Sequence, residues 1–99
     1  MAELDHDFIE LVTNFLESSR RIRDAASLAD GDPIKQKMIE GTADDFNEVC
    51  VRSEALRLLV EKGYRENREF ILEELRQLTV MNDEIAQAIR EKLAPLVWN

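Results

Sequence analysis

Apolar residues recur along this chain at alternating steps of three and four, through three segments in turn. The first segment carries Phe8, Leu11 and Val12, Phe15, Ile22, Ala25 and Ala26, and Ala29, with Ser18 and Ser19 in the same register. The second carries Ile39, Thr42, Phe46, Val49, Ser53, Leu56 and Val60, and the third Ile71, Leu75, Leu78, Asn82, Ile85, Ile89 and Leu93. A strand turns every second side chain to the opposite face and would scatter such a stripe over both sides. A helix of 3.6 residues per turn keeps it on one. The spacing is that of a coiled-coil-like seam and predicts an all-α chain.

Turn-forming residues are scarce, with 3 Gly and 2 Pro. At Asp30-Gly31-Asp32-Pro33, Gly31 can end one helix, Asp32 can cap the next and Pro33 suits its first position. At Lys62-Gly63-Tyr64 a basic last turn precedes a glycine suited to the C′ position. These breaks predict helices over 5–29, 33–62 and 66–93, each about 40 Å long. Similar lengths suit a single domain over 1–99, an up-down-up bundle of three antiparallel helices. Acid-leading i,i+4 pairs such as Glu17/Arg21, Glu48/Arg52 and Glu61/Arg65 support the helices. Glu40-Gly41-Thr42-Ala43-Asp44-Asp45 has two readings. It is either a break with Thr42 as N-cap and Asp45 at N3, or helix interior. Mid-helix glycine costs only ~1 kcal/mol against alanine, which favours a continuous helix kinked near Gly41.

Of the 99 residues, 44% are hydrophobic and 34% charged, a globular balance rather than a disordered one. The net charge of −8 argues against nucleic acid and anionic membrane surfaces as partners, since both call for clustered Lys and Arg and the one such cluster, Arg20-Arg21-Ile22-Arg23, has Glu17 and Asp24 beside it. The first nineteen residues hold no Lys or Arg but five acids, Glu3, Asp5, Asp7, Glu10 and Glu17. They read as a solvated helix start favoured by the helix dipole, or as an acidic face for a basic partner. Cys50 stands alone, which excludes an internal disulfide and points to a reducing compartment. No apolar run approaches the ~18 residues of a membrane span and no signal pattern opens the chain, so the expected location is cytoplasmic.

A three-helix bundle needs one apolar stripe per helix, and this chain has more. Val51, Ala55, Leu58 and Leu59 lie off the stripe of the second segment, Phe70 and Met81 off that of the third, and the C-terminal stretch Leu93 to Trp98 is apolar to its end. Pro95 is expected to stop the last helix. So much exposed apolar surface predicts a cover: a second copy in a symmetric homodimer, or a partner's helix in a groove. Val51, Ala55, Leu58, Leu59, Phe70, Met81 and Trp98 are the candidate interface residues. Trp98 is either the anchor of that interface or folded back on its own bundle. Ser18, Ser19 and Asn82 fall at one height in an antiparallel arrangement, near Thr42 and Asp45. They form a polar layer that fixes register, or the wall of a small mid-height pocket.

Residues for chemistry are few. His6 with Glu3 and Glu10 makes one Glu-x-x-His-x-x-x-Glu pattern, whereas di-metal helical sites need it twice with further carboxylates, so no metal or cofactor is expected. Leu4-Asp5 through Ile9 and Leu11, continuing to Gly31-Asp32-Pro33-Ile34, resembles the opening of the helical chorismate mutases over about a third of the chain. That resemblance implies cations gripping a dicarboxylate within the bundle. The positions for the family's first-helix Arg and Lys fall here on Phe15 and Ala26. Its second-helix Asp-x-x-Arg-Glu stretch has no counterpart, and Gln87 alone matches its third-helix Gln. The all-helical nucleotide pyrophosphatases hold magnesium with Glu-x-x-Glu and Glu-x-x-Asp; here Glu66-x-x-Glu69 stands without the second motif. Cys50 borders the apolar seam as a small hydrophobe, and no glycine-rich phosphate loop is present. The expected function is therefore non-enzymatic: a protein-binding module that sequesters or regulates a partner. In size, acidity and helicity it looks like secretion-type chaperones and small anti-activators. The alternative is a small-molecule enzyme or pocket of the chorismate-mutase type without its catalytic residues.

Overall fold

The computed structural model describes residues 5–97, with side chains as far as Pro95, and after the extended Asp5 the described residues lie in helices and the short turns that join them. Four helices follow one another: α1 (His6–Ala26), α2 (Pro33–Ile39), α3 (Thr42–Gly63) and α4 (Arg68–Val97), with one 3₁₀ turn at Ser27–Ala29 after α1. Asp5 caps α1, its side chain accepting from the Phe8 N–H at 2.9 Å. Gly31 takes φ +74, a left-handed conformation that L side chains rarely adopt, and so turns the chain out of the 3₁₀ segment. Asp32 then caps α2 by accepting from the N–H groups of Ile34 and Lys35, with Pro33 at the first helical position.

The second predicted helix is two helices, not one kinked helix. In a continuous ladder the Ile39 carbonyl would receive the Ala43 N–H. Instead the Thr42 hydroxyl donates to it at 2.6 Å, and the Ala43 N–H bonds the Glu40 carbonyl one residue later. A side-chain donor has replaced the backbone one, so the helix restarts. Thr42 is not the N-cap of α3; Gly41 is, with right-handed φ −64 and ψ −18 and no capping side chain.

Two other helix ends depart from expectation. Gly63 is the last residue of α3 rather than a left-handed C′ residue, and the Asn67 side-chain amide donates to its carbonyl at 2.8 Å. Pro95 does not stop α4, which runs through it to Val97. Proline removes one ladder donor, and in a last turn that loss is small enough for the helix to continue.

Side-chain pairs fix the helix directions. Asp5 meets Arg68, Ser18 meets Asn82 and Arg21 meets Asp83, so α4 runs parallel to α1. Arg52 meets Glu74, while Gly41 lies beside Lys92, so α3 runs the opposite way. The molecule is elongated, 53 × 21 × 18 Å. α4 is the central helix, packed against α1, α3 and α2, and it supplies most of the core, from Ile71 through Leu78 to Leu93. α1 and α3 lie to either side of it.

Candidate functional site

The seam between α1 and α3 is open and apolar. It holds two cavities in line, each about 510 Å³, with α4 as the floor. Phe8, Val12, Phe15 and Leu16 of α1 face Leu56 and Val60 of α3 across the first, above Leu75. The second lies between Ile22 and Ala26 of α1 and Phe46 of α3, above Ile85 and Ile89, and α2 closes its far end with Ile39. On α3, between Phe46 and Ser53, Val49 is buried and belongs to neither cavity. Phe8, Val12, Phe15 and Val60 remain only partly buried, and Leu16 is 61% exposed.

Polar groups lie at the ends and rims. At the end nearest the α3–α4 turn, the Phe8 and Tyr64 rings meet edge to face with centroids 4.9 Å apart. Beside them the Asp5 carboxylate accepts from the Tyr64 hydroxyl at 2.9 Å and from Arg68 Nε at 2.7 Å. The Arg68 guanidinium, with the Phe8 N–H, holds the Asp5 carboxyl at about 2, below its ordinary range. Burial, with Asp5 beside it, pushes the Tyr64 hydroxyl up. Along the α3 rim Arg57 is clamped between Glu54 and Glu61, which lowers Glu54 and leaves two acids to one base.

The candidate interface residues do not form one patch. Val51, Ala55 and Leu58 are exposed together on the outer face of α3, turned away from α4, with Val51 at 62% and Leu58 at 53%. Leu59 and Met81 instead pack against the core, and Met81 accepts a hydrogen bond from Arg52 through its sulfur. Phe70 is exposed in the first turn of α4. Trp98 lies outside the described residues. In the polar layer, the Asn82 side-chain amide donates to Ser18 Oγ at 3.0 Å and Ser19 Oγ at 3.1 Å, tying α4 to α1. Asn82 Oδ1 is buried without a hydrogen-bond partner. Thr42, placed near this layer by sequence, bonds within its own turn, while Asp45 is exposed at the rim of a shallow hollow with Met81 and Glu84.

The groove itself is not directly legible in the sequence, where Phe8, Val12 and Phe15 fall on the same coiled-coil-like stripe as the buried residues. The signal was present in the doublets Leu11-Val12, Ser18-Ser19 and Ala25-Ala26. The inner members Ser18 and Ala25 are buried, while Val12, Ser19 and Ala26 line the cavities. The two positions that a chorismate-mutase-like site would need as cations, Phe15 and Ala26, both line the groove as apolar side chains. Gln87 is exposed and donates to Glu91 on its own helix. His6 makes an exposed pair with Glu10 at 3.6 Å, and among the described residues no three His, Cys, Asp or Glu side chains gather as metal ligands. Nor is any described helix long and apolar enough to cross a membrane.

Among family models, curated proteins and solved structures, none matches this chain.

Proposed function

We propose that this chain is a protein-binding module that holds an amphipathic helix of another protein in the groove between α1 and α3, and that associates with itself through the outer face of α3. The open apolar seam over α4 carries this reading. From Phe8 to Ala26 the α1 wall is about 27 Å long, which matches a partner helix of about eighteen residues. The walls are helices whose backbone groups are bonded internally, so they offer side chains to pack against and no free strand edge. A helix with anchors at i, i+3, i+4 and i+7 fits such a trough. The net charge of −8 and the surplus of acid along Glu54, Arg57 and Glu61 select basic flanks on that helix. Apolar burial supplies the affinity, and the acidic rim supplies orientation and rate.

The test is fluorescence anisotropy with a labelled amphipathic, basic-flanked helical peptide, set against a scramble of the same composition. Leu16 lines the groove and is mostly exposed, so Leu16→Glu changes the wall without emptying the core. Losing its burial costs roughly 1.4 kcal/mol, or about tenfold in affinity. Equal binding by Leu16→Glu, or by the scrambled peptide, would overturn the reading. A photo-crosslinker placed at Phe15 then identifies the natural partner in the native cell.

A further inference from the structure

One continuous stripe on the outer face of α3 runs Asp44, Glu48, Val51, Ala55, Leu58, Lys62, in alternating steps of four and three. All six are exposed. Arg65, in the turn just beyond α3, extends the same spacing. Acids occupy one end of this stripe, bases the other, and its middle is apolar with its smallest residue, Ala55, at the centre.

The geometry points to a second copy of this chain as the occupant of that stripe, docked with its own α3 antiparallel about a two-fold axis at Ala55. This deepens the self-association part of the proposed function and rests on it. Glu48 and Lys62 are equally far from Ala55 in sequence, so the axis brings Glu48 of each copy opposite Lys62 of the other. Val51 then meets Leu58, and Asp44 comes level with Arg65. A parallel pairing would set acid against acid and base against base, so the charges select the antiparallel one. Such a contact is isologous and closes at two copies. Ala55 at the crossing lets the helices approach closely. Among the described residues, none of Asp44, Glu48, Lys62 and Arg65 makes an ion pair or side-chain hydrogen bond; Glu48 acts on Arg52 only at longer range. The four charges are thus available to a second copy.

One helix face is a small interface, below the ~1,200 Å² of a standard one, so the dimer is concentration-dependent and weakened by salt. Sedimentation equilibrium of the full chain over a concentration series reads it. Glu48→Lys and Lys62→Glu each set like charges together twice across the axis, and each is expected to weaken dimerisation at least about tenfold. The double variant restores opposite charges and is expected to return to within a few-fold of the starting chain. Both residues are exposed, and unchanged circular dichroism melts below the dimerisation range show that the fold persists. In a Cys50→Ser background, Ala55→Cys lies on the axis and is expected to give a disulfide-linked dimer under mild oxidation. A chain monomeric at every concentration would overturn the pairing, as would a double variant no better than either single one. Leu16→Glu keeps the two readings separate. Peptide binding by a monomeric chain sinks only the dimer, and a dimer that ignores the peptide sinks only the groove.

Discussion

Two oxygens of Asp5 join three parts of the molecule. Oδ1 caps α1 through the Phe8 N–H, while Oδ2 accepts from Tyr64 at the end of α3 and from Arg68 at the start of α4. With the Phe8–Tyr64 ring contact, these bonds close one end of the groove and fix the spacing of α1 from α3 there. The Asp5 carboxyl, lowered from 3.8 to about 2, is more acidic folded than unfolded. Its stabilisation is therefore complete above the unfolded value and lost as pH falls through about 2. Asp5→Asn keeps an N-capping side chain but removes the charge that Arg68 meets. Thermal melts across pH are expected to show a lower Tm for the variant near neutrality, and a gap that closes between about pH 4 and pH 2. A gap constant down to the acid end would show that charge is not what Asp5 contributes.

At the scale of the element, the helices and the face each one buries were legible because apolar spacing is a local property. The chain is all-helical, and α1, α3 and α4 carry the three periodic stretches, although α3 begins only at Thr42 and α4 runs on to Val97; the Asp32-Pro33 start follows from one capping residue and one fixed φ. The break at Glu40–Gly41 was not legible, since it turns on a competition between a Thr42 hydroxyl and an Ala43 N–H for the Ile39 carbonyl. Glycine content alone does not decide that contest. The groove escaped for a different reason: the gap between α1 and α3 is set by how both pack on α4, a tertiary quantity. Its trace in the sequence was the doublets on α1, which give one helix two adjacent apolar faces. Gly41 offers a test of the break. Its φ of −64 suits any residue, and a Cβ there would meet only Lys92 Nζ, at 3.7 Å. Gly41→Ala is expected to stabilise the chain by about 0.5–1 kcal/mol in urea denaturation, by restricting the unfolded chain and favouring helix. The break should persist, because the Thr42 hydroxyl still holds Ile39. Destabilisation would mean that the turn needs a conformation only glycine supplies.

For the whole molecule, α3 is the shared wall of two surfaces that face opposite ways. Its inner side, with Val49 and Leu56, packs on the core, and the groove opens beside it at Val60 and Arg57. Its outer side presents Val51, Ala55 and Leu58. Apolar residues on opposite faces of one helix leave it with little net amphipathicity. The diameter of a helix with its side chains, ~10–12 Å, separates the two surfaces, and sites farther apart than about 7–10 Å with no shared partner act additively. Two copies joined at α3 would therefore carry two grooves on the outside of the pair, each free to take a helix. Leu58→Glu on the outer face is expected to abolish the dimer in sedimentation, yet leave the groove peptide's affinity per chain within about twofold in anisotropy. Leu16→Glu is expected to do the reverse. If Leu58→Glu also weakened peptide binding tenfold, α3 would be transmitting dimerisation to the groove, and the two surfaces would be one coupled site.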